Sequence, residues 1–130
     1  GELSLDLTIT SDAEDTDYVA KFCVEEPSGA VTCLTLGSLR CRYRNSWQQP
    51  EPLTPGEATT IHLHMGHIAY RFAPGSRIVL LITSSDFPRI QPNPNKLAAP
   101  WSTEETVKAR NQVWHGPTTV SKLNIPVMAT

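Results

Sequence analysis

The stretch Leu3-Ser4-Leu5-Asp6-Leu7-Thr8-Ile9-Thr10 decides how the rest of the chain is read. Its apolar residues fall at every second position and its polar ones between them, the period-2 signature of a half-buried β-strand. A helix would space them three and four apart. A core strand that opens at residue 3 with no lead-in also suggests that the chain is a piece of a longer protein.

Working outward, a polar, acidic link over residues 11–17 leads to a second strand at 18–25. Glu26-Pro27-Ser28-Gly29 then supplies a preset φ and a tolerated positive φ, a hairpin turn into a strand at 30–34. Cys23 and Cys33 come near opposite positions. Buried free thiols are the default reading and a cross-strand disulfide is the alternative, which requires Cα atoms about 4.4–6.8 Å apart. Over residues 38–44 the alternation puts Leu39, Cys41 and Tyr43 on one face and Arg40, Arg42 and Arg44 on the other. Prolines at 50, 52 and 55 make 45–57 a loop, because proline has no ladder donor.

Strands follow at 59–65 and 77–84. The second contains Ile78-Val79-Leu80-Leu81-Ile82, a continuous apolar run that marks a strand covered on two sides. Residues 86–101, with prolines at 88, 92, 94 and 100, read as a loop. Ser102 and Glu105 fit a capping box for a short helix over 103–109, yet Val107, Ala109, Asn111 and Val113 fit strand spacing, and a strand at 107–114 is the preferred reading. A last strand at 121–128 points Leu123, Ile125 and Val127 inward. Short strands, Pro- and Gly-rich turns and almost no helical pattern add up to an all-β antiparallel β-sandwich of jelly-roll or immunoglobulin-like type, a single domain spanning residues 1–130.

A chain of 130 residues buries roughly two-thirds of its unfolded surface on folding, enough for one core without metal or disulfide support. With 11 basic and 13 acidic residues and a net charge of −2, it carries no electrostatic footprint for nucleic acid or an anionic membrane, and neither is expected as a partner. No apolar run approaches the roughly 20 residues of a membrane span, and residues 1–11 lack a signal-peptide pattern. The compartment stays open, with the cytoplasm slightly favoured. An odd cysteine count of 3 argues against a closed disulfide framework.

Several strings, taken in order, carry a resemblance. They are Ser11-Asp12, Asp15-Thr16-Asp17-Tyr18-Val19-Ala20-Lys21, Pro27-x-Gly29, Leu39-Arg40-x-Arg42-Tyr43-Arg44, Pro55-Gly56-Glu57, Phe72-x-x-Gly75-x-Arg77-Ile78, Ser84-Ser85-x-Phe87-Pro88-Arg89, Asn93-x-Asn95, His115-Gly116-Pro117 and Ser121-x-Leu123-x-Ile125-Pro126-Val127. Together they resemble the C-terminal, non-catalytic domain of the X-Pro dipeptidyl-peptidase, cocaine esterase and α-amino-acid ester hydrolase family of serine hydrolases. The resemblance implies a jelly roll similar to galactose-binding folds, packed beside a catalytic α/β-hydrolase domain that acts on esters, amides or Xaa-Pro dipeptides. The nucleophile elbow and triad belong to that other domain, so this chain alone is not expected to be an enzyme. Val24 and His64 stand where the family pattern often has Asp, and Val79 and Leu81 replace residues that are usually polar.

The candidate interface residues are Arg40, Arg42 and Arg44 with Asp15 and Asp17, which either form ion pairs to a neighbouring domain or to each other or leave the arginines as a solvated strand face, and Val79 and Leu81, whose outward apolar area calls for a cover. That cover is a hydrolase domain, a second copy of the chain, or the 86–106 loop. Phe87, Pro88, Arg89, Asn93 and Asn95 read as an ordered loop whose Asn side chains bond to backbone groups. His62, His64 and His67 are the candidate metal ligands, and Asp12, Asp15 and Asp17 could hold calcium. A solvated strand face and turn caps are the preferred readings, and no metal or cofactor is expected. Trp47, Trp101 and Trp114 raise a second class of function, a stand-alone carbohydrate-binding module.

Overall fold

In the computed structural model, which describes residues 1–99 and 105–129, the alternating stretch becomes β1 (Glu2–Ser11), with Leu3, Leu5, Leu7 and Ile9 buried. Each fully buried aliphatic side chain contributes about 1.5–3 kcal/mol, so this one strand face outweighs any exposed ion pair in the molecule. β1 is the spine of one antiparallel sheet. β4 (Thr59–His67) lies along one side, while β6 (Asn111–Trp114) and β7 (Lys122–Asn124) pair with the two ends of the other. The second sheet holds β2 (Asp17–Glu25) between β3 (Val31–Arg40) and β5 (Arg77–Thr83), again antiparallel throughout.

The two sheets face each other as a β-sandwich. Tyr18, Ala20 and Phe22 of β2 and Leu39 of β3 meet Leu3, Leu5, Leu7 and Ile9 of β1 and Ile61, Leu63 and Met65 of β4 in one core. The sheets touch directly where β3 crosses β4. Thr35 Oγ1 donates to the Met65 carbonyl there, and a Cβ added at Gly37 would overlap the His64 carbonyl oxygen.

Four sequence expectations are corrected. The 30–34 and 38–44 segments are not two strands, because β3 runs unbroken through Gly37 and ends at Arg40. Residues Cys41–Tyr43 then form a 3₁₀ turn, so the three arginines do not share a strand face. The cause is competing acceptors on the β1–β2 link: the Cys41 N–H goes to the Thr16 carbonyl at 2.9 Å and the Arg42 N–H to Asp15 Oδ1 at 2.9 Å.

The 107–114 strand shortens to β6 because the Val107 N–H is bonded to the Pro94 carbonyl and the Arg110 N–H to Asp12 Oδ1. The helical alternative over 103–109 falls partly outside the described residues, and its described part, 105–109, is not helical. The 121–128 strand shortens to β7. Leu123 and Ile125 reach the core, but Val127, following a proline that cannot donate to a ladder, is 85% exposed.

The fourth correction concerns β5, which is an edge strand rather than one covered on both faces. Leu80 and Ile82 pack on the core, Ile78 at the strand's open end is 49% exposed, and Leu81 on the outer face is 45% exposed.

Candidate functional site

The most concentrated chemistry in the molecule lies where the β1–β2 link, the 3₁₀ turn and the 86–99 loop converge. The link crosses from one sheet to the other, which buries Asp15, Thr16 and Asp17 at its inner bend. Arg40, the last residue of β3, stands opposite Asp17 in the ladder and grips it with two hydrogen bonds of 3.0 Å, Nε to Oδ1 and Nη2 to Oδ2. Arg42 reaches Asp15 Oδ2 through Nε at 2.7 Å. Asn93, from the loop, donates to both carboxylates, to Asp15 Oδ2 at 2.9 Å and to Asp17 Oδ1 at 2.8 Å.

Each carboxylate thus accepts three hydrogen bonds, and two guanidiniums balance two carboxylates. Both conditions are required of charges this far from water, since an unpaired buried ion costs several kcal/mol, on the order of what holds a domain folded. The remaining guanidinium donors hold the loop: Arg42 donates to the carbonyls of Ala98 and Lys96, and Arg40 to that of Gln91. Glu14 adds a carboxylate acceptor for the Leu97 N–H at 2.9 Å. Arg44 ties down the other long loop through the Cys41, Glu51 and Pro52 carbonyls.

The electrostatics follow from this packing. The hydrogen bonds it donates to Asp17 hold the Arg40 guanidinium above its ordinary value. Burial, then the Asp15 charge, pushes the Cys41 thiol up to about 12. Burial likewise raises Tyr18. Neither group is activated as a nucleophile, and the arrangement is a clamp.

Of the readings open for the three arginines, ion pairs to a neighbouring domain or to Asp15 and Asp17, or a solvated strand face, the Asp pairing is present for Arg40 and Arg42, while Arg44 turns to carbonyls. Asn93 departs from its expected role, since its amide meets two buried carboxylates, while its Oδ1 does accept a backbone bond from Asn95. Asn95 has φ 62° and donates to the Val107 carbonyl. Glu14 and the carbonyls of Gln91, Lys96 and Ala98 had no sequence signal, because backbone acceptors are set by loop path alone. Phe87 is 73% exposed beside Pro88, and Arg89 pairs at 3.7 Å with Asp86, which Lys21 binds at 2.7 Å. Lys21 stands opposite Leu81 in the ladder, so this turn sits at the Leu81 end of the outer face.

His62 and His64 share the outer face of β4 with ring centroids 4.7 Å apart, but they are turned to carboxylates, His62 to Asp6 at 2.6 Å and His64 to Glu2 at 3.1 Å. His67 lies beyond Gly66, whose φ is 77°. Among the described residues no group of three or more His, Cys, Asp or Glu side chains is arranged to hold a metal. Asp15 and Asp17 are occupied by guanidinium and amide donors, and Asp12 caps the Arg110 N–H. Trp47 stacks on Tyr43, Trp114 donates to Thr10 from β6, and Trp101 lies outside the described residues.

Comparison with known proteins gives a consistent answer. Residues 1–124 match the family described as the X-Pro dipeptidyl-peptidase C-terminal non-catalytic domain. The cocaine esterase of Rhodococcus sp. (strain MB1 Bresler) is 32% identical over 130 residues, a span that takes in 98% of this chain and 23% of the esterase. An α-amino acid ester hydrolase structure superposes on 95% of this chain with a TM-score of 0.86 at 25% identity, using 22% of its own length. An aminopeptidase from the marine sediment archaeon Thaumarchaeota archaeon gives a TM-score of 0.87 at 25% identity over 99% of this chain and 23% of its own. The chain therefore spans about a quarter of the length of these relatives, and it belongs to the X-Pro dipeptidyl-peptidase C-terminal non-catalytic domain family.

Proposed function

We propose that this sandwich is a structural partner of a catalytic α/β-hydrolase domain in the same polypeptide, a hydrolase of esters, amides or Xaa-Pro dipeptides, and that it helps wall the substrate entrance. The observation that carries the reading is the outer face of β5. Leu81, 45% exposed, and the half-buried Val79 put apolar area on an edge strand, and Phe87, 73% exposed, adds more on the loop that follows it, in a chain that spans about a quarter of its relatives' length. Such a surface gains about 25 cal/mol per Å² when covered. Beside it, the Asp15–Arg42 and Asp17–Arg40 clamp fixes the loop that carries Phe87, Pro88 and Arg89, so that the face is offered in one shape. The arginines themselves are spent inside the chain, which leaves Val79, Leu81 and Phe87 as the proposed contact residues.

The test compares the full-length protein with its Leu81→Asp and Phe87→Ser variants. The expected result is separate unfolding of the two domains by calorimetry and reduced turnover of a p-nitrophenyl ester or an Xaa-Pro p-nitroanilide. A single cooperative transition with unchanged kinetics in both variants would remove this face from the interface. The isolated chain should turn over neither substrate. Hydrolysis that survives purification and disappears in His115→Ala would overturn the assignment. A second copy of the chain is the other candidate cover, and dimerisation abolished by Leu81→Asp would reveal it. The stand-alone carbohydrate-binding reading is not favoured, because Trp47, though exposed, lies in the 45–57 loop and Trp114 on β6, with its indole N–H spent on Thr10.

A further inference from the structure

The hairpin of β2 and β3 contains a β-bulge between Phe22 and Cys23. Phe22 stands opposite Thr35, so regular pairing would place Leu34 against Cys23 and turn Cys33 to the core face. The bulge absorbs Leu34, which packs on the core instead, and brings Cys33 directly opposite Cys23 on the outer face. Directly opposed residues of an antiparallel pair have Cα atoms about 4.5–5.5 Å apart, inside the range of about 4.4–6.8 Å that a disulfide spans.

We propose that Cys23 and Cys33 form a reversible dithiol–disulfide site that exchanges with small anionic disulfides, Cys33 attacking first and Cys23 resolving. Each thiol donates to a backbone carbonyl, Cys23 to that of Lys21 and Cys33 to that of Thr35, and neither cysteine is in a disulfide. Their exposures differ in the way the two steps require, for Cys33 is open to solvent and Cys23 is 2% exposed. Cys33 lines a shallow depression of about 290 Å³ whose rim carries Lys21 and Arg89. Those two cations face the single carboxylate of Asp86, so the rim favours an anionic reagent. Burial, and then the neighbouring Cys33, holds the Cys23 thiol above its ordinary value, which keeps it from competing in the first step.

The Cys33 thiolate attacks one sulfur of an external disulfide, whose S–S bond breaks to release one thiolate and leave a mixed disulfide. Cys23 then loses its proton and attacks the Cys33 sulfur, which releases the second thiolate. The protein loses two electrons and two thiol protons, and the external disulfide becomes two thiols. Cys41, fully buried in the core, takes no part.

The test treats the chain with glutathione disulfide at pH 8, then denatures and alkylates it with N-ethylmaleimide. The expected result is an intact mass lower by about 2 Da for two lost hydrogens, alkylation at Cys41 only, and recovery of all three sites after dithiothreitol. In Cys23→Ser the reaction should stop at one glutathione on Cys33. A wild-type chain that ends as a stable glutathione adduct while Cys23 still alkylates would overturn the proposal, as would a disulfide joining two chains. Because the wild-type measurement decides the matter, misfolding of the Cys23 variant would not shelter it.

Discussion

Arg42 meets Asp15 twice, through its backbone N–H to Oδ1 at 2.9 Å and its Nε to Oδ2 at 2.7 Å, with both side chains almost wholly out of water. The backbone bond turns the chain out of β3, and the side-chain bond neutralises the carboxylate that does so. Arg42→Met should therefore leave a buried carboxylate with two of its three hydrogen bonds and no counter-charge from residue 42, and destabilise the fold by about 3–5 kcal/mol in urea unfolding. The double variant Asp15→Leu/Arg42→Met should be less destabilised than the sum of the two singles. Strict additivity would mean that the two groups do not act as a pair.

The Asn93 amide touches both buried carboxylates and reaches them from the 86–99 loop. Asn93→Ala should cost about 1–3 kcal/mol for donors removed from buried acceptors. Asn93→Asp should cost more, because it sets a third negative charge against the first two. Hydrogen exchange should show the loop opening in both variants while β1 and β2 stay protected. Unchanged exchange around Leu97, whose N–H is held by Glu14, would show that Asn93 does not fasten the loop.

The parts legible in the sequence were those in which one residue's environment follows from its neighbours two positions away. Leu3 to Ile9 and Ile61 to Met65 alternate and are buried as the alternation requires. Arg42 was misplaced because its backbone geometry is dictated by Asp15, far upstream in sequence and invisible to local periodicity. Cys33 was placed near Cys23, but its face depended on a bulge at Leu34 that no turn residue announces. The clamp could be foreseen as a pairing of Arg40 and Arg42 with Asp15 and Asp17. Its reach into the loop could not, since the carbonyls of Gln91, Lys96 and Ala98 carry no residue signature.

Gly37 packs against the backbone of the facing sheet at His64, and its need for glycine is one of space. A Cβ would drive into the backbone of His64, which belongs to a paired strand and has no rotamer by which to yield. Gly37→Ala should destabilise by at least the 1–3 kcal/mol typical of an overpacked core, roughly, and the loss should show as a lower midpoint with little change in slope. A variant as stable as the parent would mean that β3 and β4 can slide apart freely.

Asp6 and His62 face each other across β1 and β4 on the open side of the sandwich. The hydrogen bond from His62 is the largest influence on Asp6 and sets its carboxyl below the ordinary 3.8 despite some opposing burial. A depressed folded-state value means that the pair's contribution is fully present above about pH 4 and is lost as the pH falls through the folded midpoint. Exposed as both groups are, that contribution lies in the range of about 0–1 kcal/mol. A carboxyl carbon titration by NMR should place the Asp6 midpoint below 3.8, and His62→Phe should move it upward. The Asn124 amide, 3.2 Å from Asp6 Oδ2, should keep part of the depression in that variant. An Asp6 midpoint indifferent to residue 62 would assign the effect to Asn124 and Lys122 and leave the histidine a spectator on a solvated strand.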